Sequence, residues 1–219
     1  MSYKHILFDL DGTLTDPALG ITNSIMYALR KNGIEPPDRK ELYCCIGPPL
    51  IDAFMQMWGF SKEGAEKALS DYREYFSQHG LFENEVYAGI NELLSELCKS
   101  GKKLYLATSK PEIYARQILE HFNLSQYFTF IAGNTLSEDR PKKVDVINYL
   151  FKVCPELDVK NTVMVGDRKF DVIGAHAAHL PCIGVLFGYG SREELEGAGA
   201  DSLANTVLEL KALLLGESL

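Results

Sequence analysis

Four aspartates in two closely spaced pairs have the clearest capacity for chemistry in this chain. Asp9 and Asp11 lie in ILFDLDGTLTD (6–16), and Asp167 and Asp171 in VGDRKFDV (165–172). Each pair ends a short apolar run, so each is expected at the carboxyl end of a buried strand. Carboxylates are seldom buried, and neighbouring like charges repel. Four of them converging on one crevice would require a cation. An all-oxygen donor set favours Mg²⁺, whereas zinc would call for histidine or cysteine, and none of the five histidines falls inside these motifs. The four-residue spacing of Asp167 and Asp171 can turn both side chains to one side if Asp171 opens a helix. An acid at a helix start also has an ordinary structural reason, the positive end of the helix dipole.

A metal among aspartates points to a phosphorylated substrate, with the metal neutralising charge on both sides. Phosphate also needs donors. LATSKPEI (106–113) supplies Thr108 and Ser109 at a strand tip, with Pro111 where a helix should begin. RPKKVDVI (140–147) places Lys143 just before another helix, with Lys142 and Arg140 as alternative cations.

The elements that must position these groups are legible as a pattern. Apolar runs at 4–8, 103–108, 128–133, 161–167 and 181–188 read as buried strands. Helical spacing fills 89–100, 111–123, 143–153, 171–179 and 205–215. Such alternation predicts an α/β fold, a Rossmann-like parallel sheet of about five strands with helices on both faces. Residues 16–85 contain no strand pattern. Ile21, Ile25 and Leu29 recur on one helical face, 47–60 opens with prolines and turns apolar, and Ser61 can cap a helix through 61–80. The expected organisation is a core of residues 1–15 and 86–219 interrupted by a helical insert at 16–85.

Composition narrows the function classes. A formal net charge of −8 argues against general nucleic-acid binding. No apolar run is long enough for a membrane span, and the first residues lack a signal-peptide core. Cys44 and Cys45 are adjacent, and Cys98, Cys154 and Cys182 are scattered. That pattern suits reduced thiols and a cytoplasmic protein rather than a disulfide framework. Monomer and homodimer are both open.

Taken in order, Asp9-Leu10-Asp11-Gly12-Thr13, Thr108, Lys143 and Gly166-Asp167 with Asp171 resemble the four motifs of the haloacid dehalogenase superfamily of phosphohydrolases. The helical insert resembles that family's small cap. GVLFGYGSREELEGAGAD (184–201) resembles the C-terminal segment of phosphoglycolate-phosphatase-like members, with IGPPL (46–50) as the cap loop facing the active site. The resemblance implies Asp9 as nucleophile and Asp11 as acid/base. It implies a Mg²⁺ site at Asp9, the main-chain carbonyl of Asp11, Asp167 and Asp171. It places Gly12, Thr13, Thr108, Ser109 and Lys143 about the phosphate and Gly47 about the substrate. Small phosphate monoesters are the expected substrates, phosphoglycolate first and nucleoside 5′-monophosphates as the alternative. A phosphomutase would want a cation in the cap, which CIGPPLID (45–52) lacks, although Arg39 and Lys40 lie upstream.

Overall fold

A computed structural model describes residues 3–217. The chain forms two compact units, Met1–Thr15 with Val86–Leu219, and Asp16–Glu85. The first strand, β1 (His5–Phe8), is followed by the short strand β2 (Thr15–Asp16). The second unit then holds α1 (Ala18–Lys31), α2 (Leu50–Trp58) and α3 (Lys62–Tyr75), and the short strand β3 (Glu85–Val86) closes it. Strands and helices alternate from there: α4 (Ile90–Lys99), β4 (Lys103–Pro111), α5 (Glu112–His121), β5 (Phe128–Asn134), α6 (Lys143–Val153) and β6 (Thr162–Gly166). The chain ends with α7 (Lys169–Ala177), β7 (Cys182–Val185), α8 (Arg192–Gly197), β8 (Ser202–Ala204) and α9 (Val207–Leu215).

The main sheet has the order β5-β4-β1-β6-β7-β8, and every adjacent pair is parallel. This is the α/β architecture expected from the sequence, with one strand more. The sixth strand, β8, has three residues at an edge and no apolar run, so periodicity carries no signal for it. In β1, Phe8 is level with Leu106 on one side and Val165 on the other. Strand order reverses beside β1, and such switch points open a crevice at the carboxyl ends of the strands.

Side chains alternate across a parallel strand, and both faces here are covered. Leu7, Tyr105, Ala107 and Met164 share one apolar cluster with Val146, Ile147 and Leu150 of α6 and Val172 and Ala175 of α7. Ile6, Phe8, Leu104, Leu106 and Val165 alternate with those strand residues and are fully buried as well. Leu93, Leu94 and Leu97 of α4 and Ile118 and Leu119 of α5 are buried outside the first cluster. No helix among the described residues is long and apolar enough to cross a membrane. All five cysteines are free.

In the helical unit, α1 buries Ile21, Ile25, Ala28 and Leu29 along one stripe. Lys31 at its end forms ion pairs of 2.8 Å with both Asp71 and Glu74 of α3. The Ser61 hydroxyl accepts from the Gly64 amide at 3.1 Å and starts α3. The helix expected through residue 80 ends its regular part at Tyr75, and Phe76–Gly80 continue as a wider π-helical turn. The backbone crowds there: a Cβ on Gly20 would stand 2.0 Å from the Gly80 carbonyl oxygen. Alanine would gain about 1 kcal/mol of helix propensity at Gly20. Overlap with a backbone atom outweighs that gain. Gly20→Ala should therefore lower stability by about 1–3 kcal/mol, read as a lower denaturation midpoint.

Candidate active site

Asp9 is the first residue past β1, and its amide is fixed by the Val165 carbonyl at 2.9 Å. Asp167 is the first residue past β6, the neighbouring strand, and Asp171 lies in the first turn of α7. Adjacent parallel strands ending level thus bring the two acidic motifs together. One carboxylate oxygen each from Asp9, Asp167 and Asp171 lies within 4.8 Å of the others, and all three residues are buried.

Lys143 is the cation inside this group. As the first residue of α6 it is 5% exposed. Its Nζ lies 2.9 Å from Asp9 Oδ1 and 2.9 Å from Asp171 Oδ1, and it donates to the Ala107 carbonyl at 2.9 Å. Burial works against its charge, but Asp171 and Asp9 outweigh burial and raise its pKa. The alternatives lie elsewhere. Lys142 is exposed, and its backbone amide donates to Asp145 at 3.0 Å. Arg140 sits over the Tyr149 ring and pairs with Glu112 at 3.4 Å.

Asp171 fills both roles that its spacing allows. Its Oδ2 accepts from the Arg168 amide at 3.0 Å, closing the helix start, while Oδ1 faces Lys143. Asp167 accepts from the Tyr189 amide at 2.8 Å and from the Thr13 hydroxyl at 3.5 Å. Burial, with Asp171 and Asp9 adding to it, raises the Asp167 pKa well above the usual carboxylate range. Burial also raises Asp171, with Lys143 opposing. Three carboxylates against one ammonium leave an excess of buried negative charge, and the donors are all oxygen. That set fits a hard divalent cation such as Mg²⁺.

The Asp11 carboxylate stands apart from this group. Its Oδ2 is 2.8 Å from Lys110 Nζ. Burial raises its pKa, and Lys110 pulls it back down. Lys110 was not among the residues singled out from the sequence. Pairing of β4 with β5 runs in register from Tyr105↔Phe130 to Ala107↔Ala132 and resumes only at Pro111↔Asn134. Thr108, Ser109 and Lys110 occupy that irregularity, and such a bulge re-aims side chains. Thr108 is 1% exposed, and its hydroxyl accepts from the Lys110 amide at 3.3 Å. Ser109 is half-buried beside it. The strand tip expected at Thr108 is therefore a bulge three residues before the end of β4.

Small residues make the convergence sterically feasible. Gly12 has φ +80°, and a Cβ on it would lie 2.1 Å from Asp167 Oδ2. A Cβ on Gly166 would strike Asp171 at 2.2 Å, and one on Gly188 would lie 2.5 Å from Asp167 Cβ. Thr13 is fully buried between them in sequence, its amide donating to the Leu10 carbonyl at 3.2 Å. The segment Gly188-Tyr189-Gly190 was a second omission from the sequence-based site. Its signal is the pair of glycines, which lets the Tyr189 amide approach Asp167.

Gly47 belongs to the helical unit, between the 3₁₀ segment Arg39–Cys45 and α2, with φ +103°. Arg39, in the same unit, donates to the Thr22 hydroxyl and to Asn23 Oδ1 at 2.7 Å. A cavity of about 510 Å³ opens between α4 and α9, lined by Tyr87, Leu93, Phe187 and Val207 among others. It shares no residue with the carboxylate cluster.

A family model for haloacid dehalogenase-like hydrolases matches residues 6–185, which includes every aspartate, threonine and lysine of this cluster. The chain belongs to that family. Among curated relatives of this hydrolase, a 5′-nucleotidase of Pseudomonas aeruginosa is 46% identical over 195 residues, covering 89% of this chain and 88% of the relative. The tyrosine-protein kinase PtkA of Mycobacterium tuberculosis is 38% identical over 211 residues, covering 95% of this chain and 72% of the relative. Among solved structures, one described as a predicted phosphatase from Clostridium acetobutylicum superposes with a TM-score of 0.95 at 46% identity. That match covers 99% of this hydrolase and 100% of the other chain.

Two glycine substitutions separate packing at the hydrolase site from backbone strain. Gly101, the turn residue after α4, has φ +77° and open space around its Cβ position. Gly101→Ala should cost about 1 kcal/mol, the penalty of the left-handed region. Gly12→Ala carries the same strain plus the overlap with Asp167, so its denaturation midpoint should fall well below that of Gly101→Ala.

Proposed function

We propose that this hydrolase cleaves small phosphate monoesters through an aspartyl-phosphate, with Mg²⁺ as cofactor and nucleoside 5′-monophosphates as the first substrate class. The observation that carries the reading is the unequal setting of the two motif-one carboxylates. Asp9 shares the acidic cluster with Lys143, whereas Asp11 is drawn aside by Lys110. Two carboxylates held differently suit two different roles.

In this reading an Asp9 oxygen attacks phosphorus and the bond from phosphorus to the ester oxygen breaks. Asp11 delivers its proton to the departing oxygen. Asp11 then takes a proton from water, the water oxygen attacks the aspartyl-phosphate, and inorganic phosphate leaves with Asp9 restored. Lys143 keeps Asp9 oriented through contacts to Asp171 and the Ala107 carbonyl. Thr108 and Ser109, in the bulge beside Asp11's partner Lys110, supply hydroxyl and amide donors to the phosphoryl oxygens, with Gly12 and Thr13 shaping the loop opposite. Asp9, Asp167, Asp171 and the main-chain carbonyl of Asp11 are the groups that would hold the metal. When bound, Mg²⁺ would supply positive charge against the phosphoryl oxygens.

The substrate ranking reverses the order expected from the sequence. Phosphoglycolate is the expectation from the likeness of residues 184–201 and of the cap, and its carboxylate would need a donor such as Arg39 or Tyr43. That guanidinium is engaged with Thr22 and Asn23. Nucleotides are supported by the relative named 5′-nucleotidase at 46% identity. Gly47 and its prolines remain the proposed substrate segment.

Asp9→Asn should cut kcat on the order of 10³-fold or more while leaving the fold intact by circular dichroism. Near-normal turnover in that variant would sink the covalent reading. Chelation should stop hydrolysis and added Mg²⁺ should restore it; full activity in metal-free buffer would contradict the metal assignment.

For substrate, kcat/KM should be higher for nucleoside 5′-monophosphates than for phosphoglycolate. The reverse ranking returns phosphoglycolate to first place. Labelled phosphate appearing on a protein tyrosine rather than as inorganic phosphate would overturn hydrolysis itself.

A further inference from the structure

The sequence pairs Cys44 with Cys45 for no reason that the phosphatase reading uses. The structure brings a third sulfur to them. Cys44 and Cys45 end the 3₁₀ segment Arg39–Cys45, and Met57 lies in the last turn of α2. The two thiols are 4.0 Å apart. Met57 Sδ lies 4.0 Å from Cys44 Sγ and 3.5 Å from Cys45 Sγ. All three belong to the helical unit, so its own packing sets these distances.

Two edges of the triangle, at 4.0 Å, have the dimensions of a three-coordinate sulfur site, and the third, at 3.5 Å, is shorter. Metal–thiolate bonds run near 2.3 Å, and three such ligands in a plane around one ion stand about 4.0 Å apart. Two thiolates and a thioether form a soft donor set, the kind that selects copper(I) over harder divalent cations. Access is one-sided. Cys45 is 2% exposed, while Cys44 and Met57 reach solvent, so an ion can enter from outside and seat against the buried sulfur.

We infer that Cys44, Cys45 and Met57 form a binding site for a single soft monovalent cation of the copper(I) class. Binding is a ligand exchange without electron transfer. One Cu⁺ enters, two S–H bonds release two protons to solvent, and the Met57 thioether donates a lone pair with no proton change. The site carries one net negative charge when filled. This assignment is independent of the phosphatase reading, because none of its ligands takes part in that chemistry.

The test uses the full-length reduced protein, titrated anaerobically with copper(I) in competition with a chromophoric copper(I) chelator. One equivalent should be withdrawn from the chelator, with a thiolate-to-copper absorption band in the near ultraviolet. Cys44→Ser and Met57→Leu change exposed positions, so the fold should survive, and a denaturation scan of each variant verifies it. Each should weaken copper(I) binding at least tenfold. Cys98→Ser, which removes the exposed thiol of the other unit, should leave binding unchanged. Wild-type protein that withdraws no copper(I) would overturn the site. So would folded Cys44→Ser and Met57→Leu variants that bind as tightly as wild type.

Discussion

One buried ammonium decides how this chain can gather its acidic groups. Lys143 contacts Asp9, Asp171 and the Ala107 carbonyl from a position almost closed to solvent. Breaking a buried ion pair from one side typically costs several kcal/mol, because the remaining charge is left uncompensated. Here that cation serves two carboxylates from different motifs. The carboxyl end of β1, the Ala107 carbonyl of β4 and the start of α7 are therefore coupled through one side chain. Its reach depends on α6 and α7 lying close. A Cβ on Gly174 of α7 would stand 2.6 Å from Lys143 Cβ, so glycine there sets how near the lysine stem can run.

A single ammonium does not neutralise three carboxylates, and the cluster keeps an excess of negative charge that a divalent cation would offset. Asp11 escapes the crowd by pairing with Lys110 at 2.8 Å. The two lysines thus sort the aspartates into a shared group and a solitary one. Two roles for two neighbouring carboxylates need this inequality of surroundings more than they need any particular residue type.

How much of this was legible in the sequence follows from which physical signals are local. Apolar runs ending in Asp9 and Asp167 revealed strands and their polar ends, because burial and charge alternate within a few residues. Five of the six strands were readable that way, while β8 owes its place to pairing with β7 along Ile183↔Ser202 to Val185↔Ala204. Lys143 could be preferred to Lys142 and Arg140, but the deciding fact is where α6 begins. Lys110 was invisible, since a lysine in TSK looks solvated until the bulge in β4 turns it towards Asp11. The Tyr189 amide carries no side-chain signal at all, although its flanking glycines mark close approach. Backbone donors and register breaks are three-dimensional facts, and sequence periodicity does not encode them.

The strand order has a consequence for synthesis. β1 is made before β4 and β6 yet lies between them, and their residues follow about a hundred and a hundred and sixty positions later in the chain. A nascent chain therefore carries Ile6, Leu7 and Phe8 with both strand edges open while the whole helical unit is being made. That unit is contiguous in sequence and can collapse on local contacts as it emerges. The α/β unit cannot close until Val163 and Val165 arrive beside β1, and the acidic cluster cannot form until Asp171 does. Asp9 is complete about a hundred and sixty residues before the Asp171 carboxylate that shares its cluster. For the ribosome-bound chain, the vulnerable interval is the wait of a finished central strand for neighbours not yet translated.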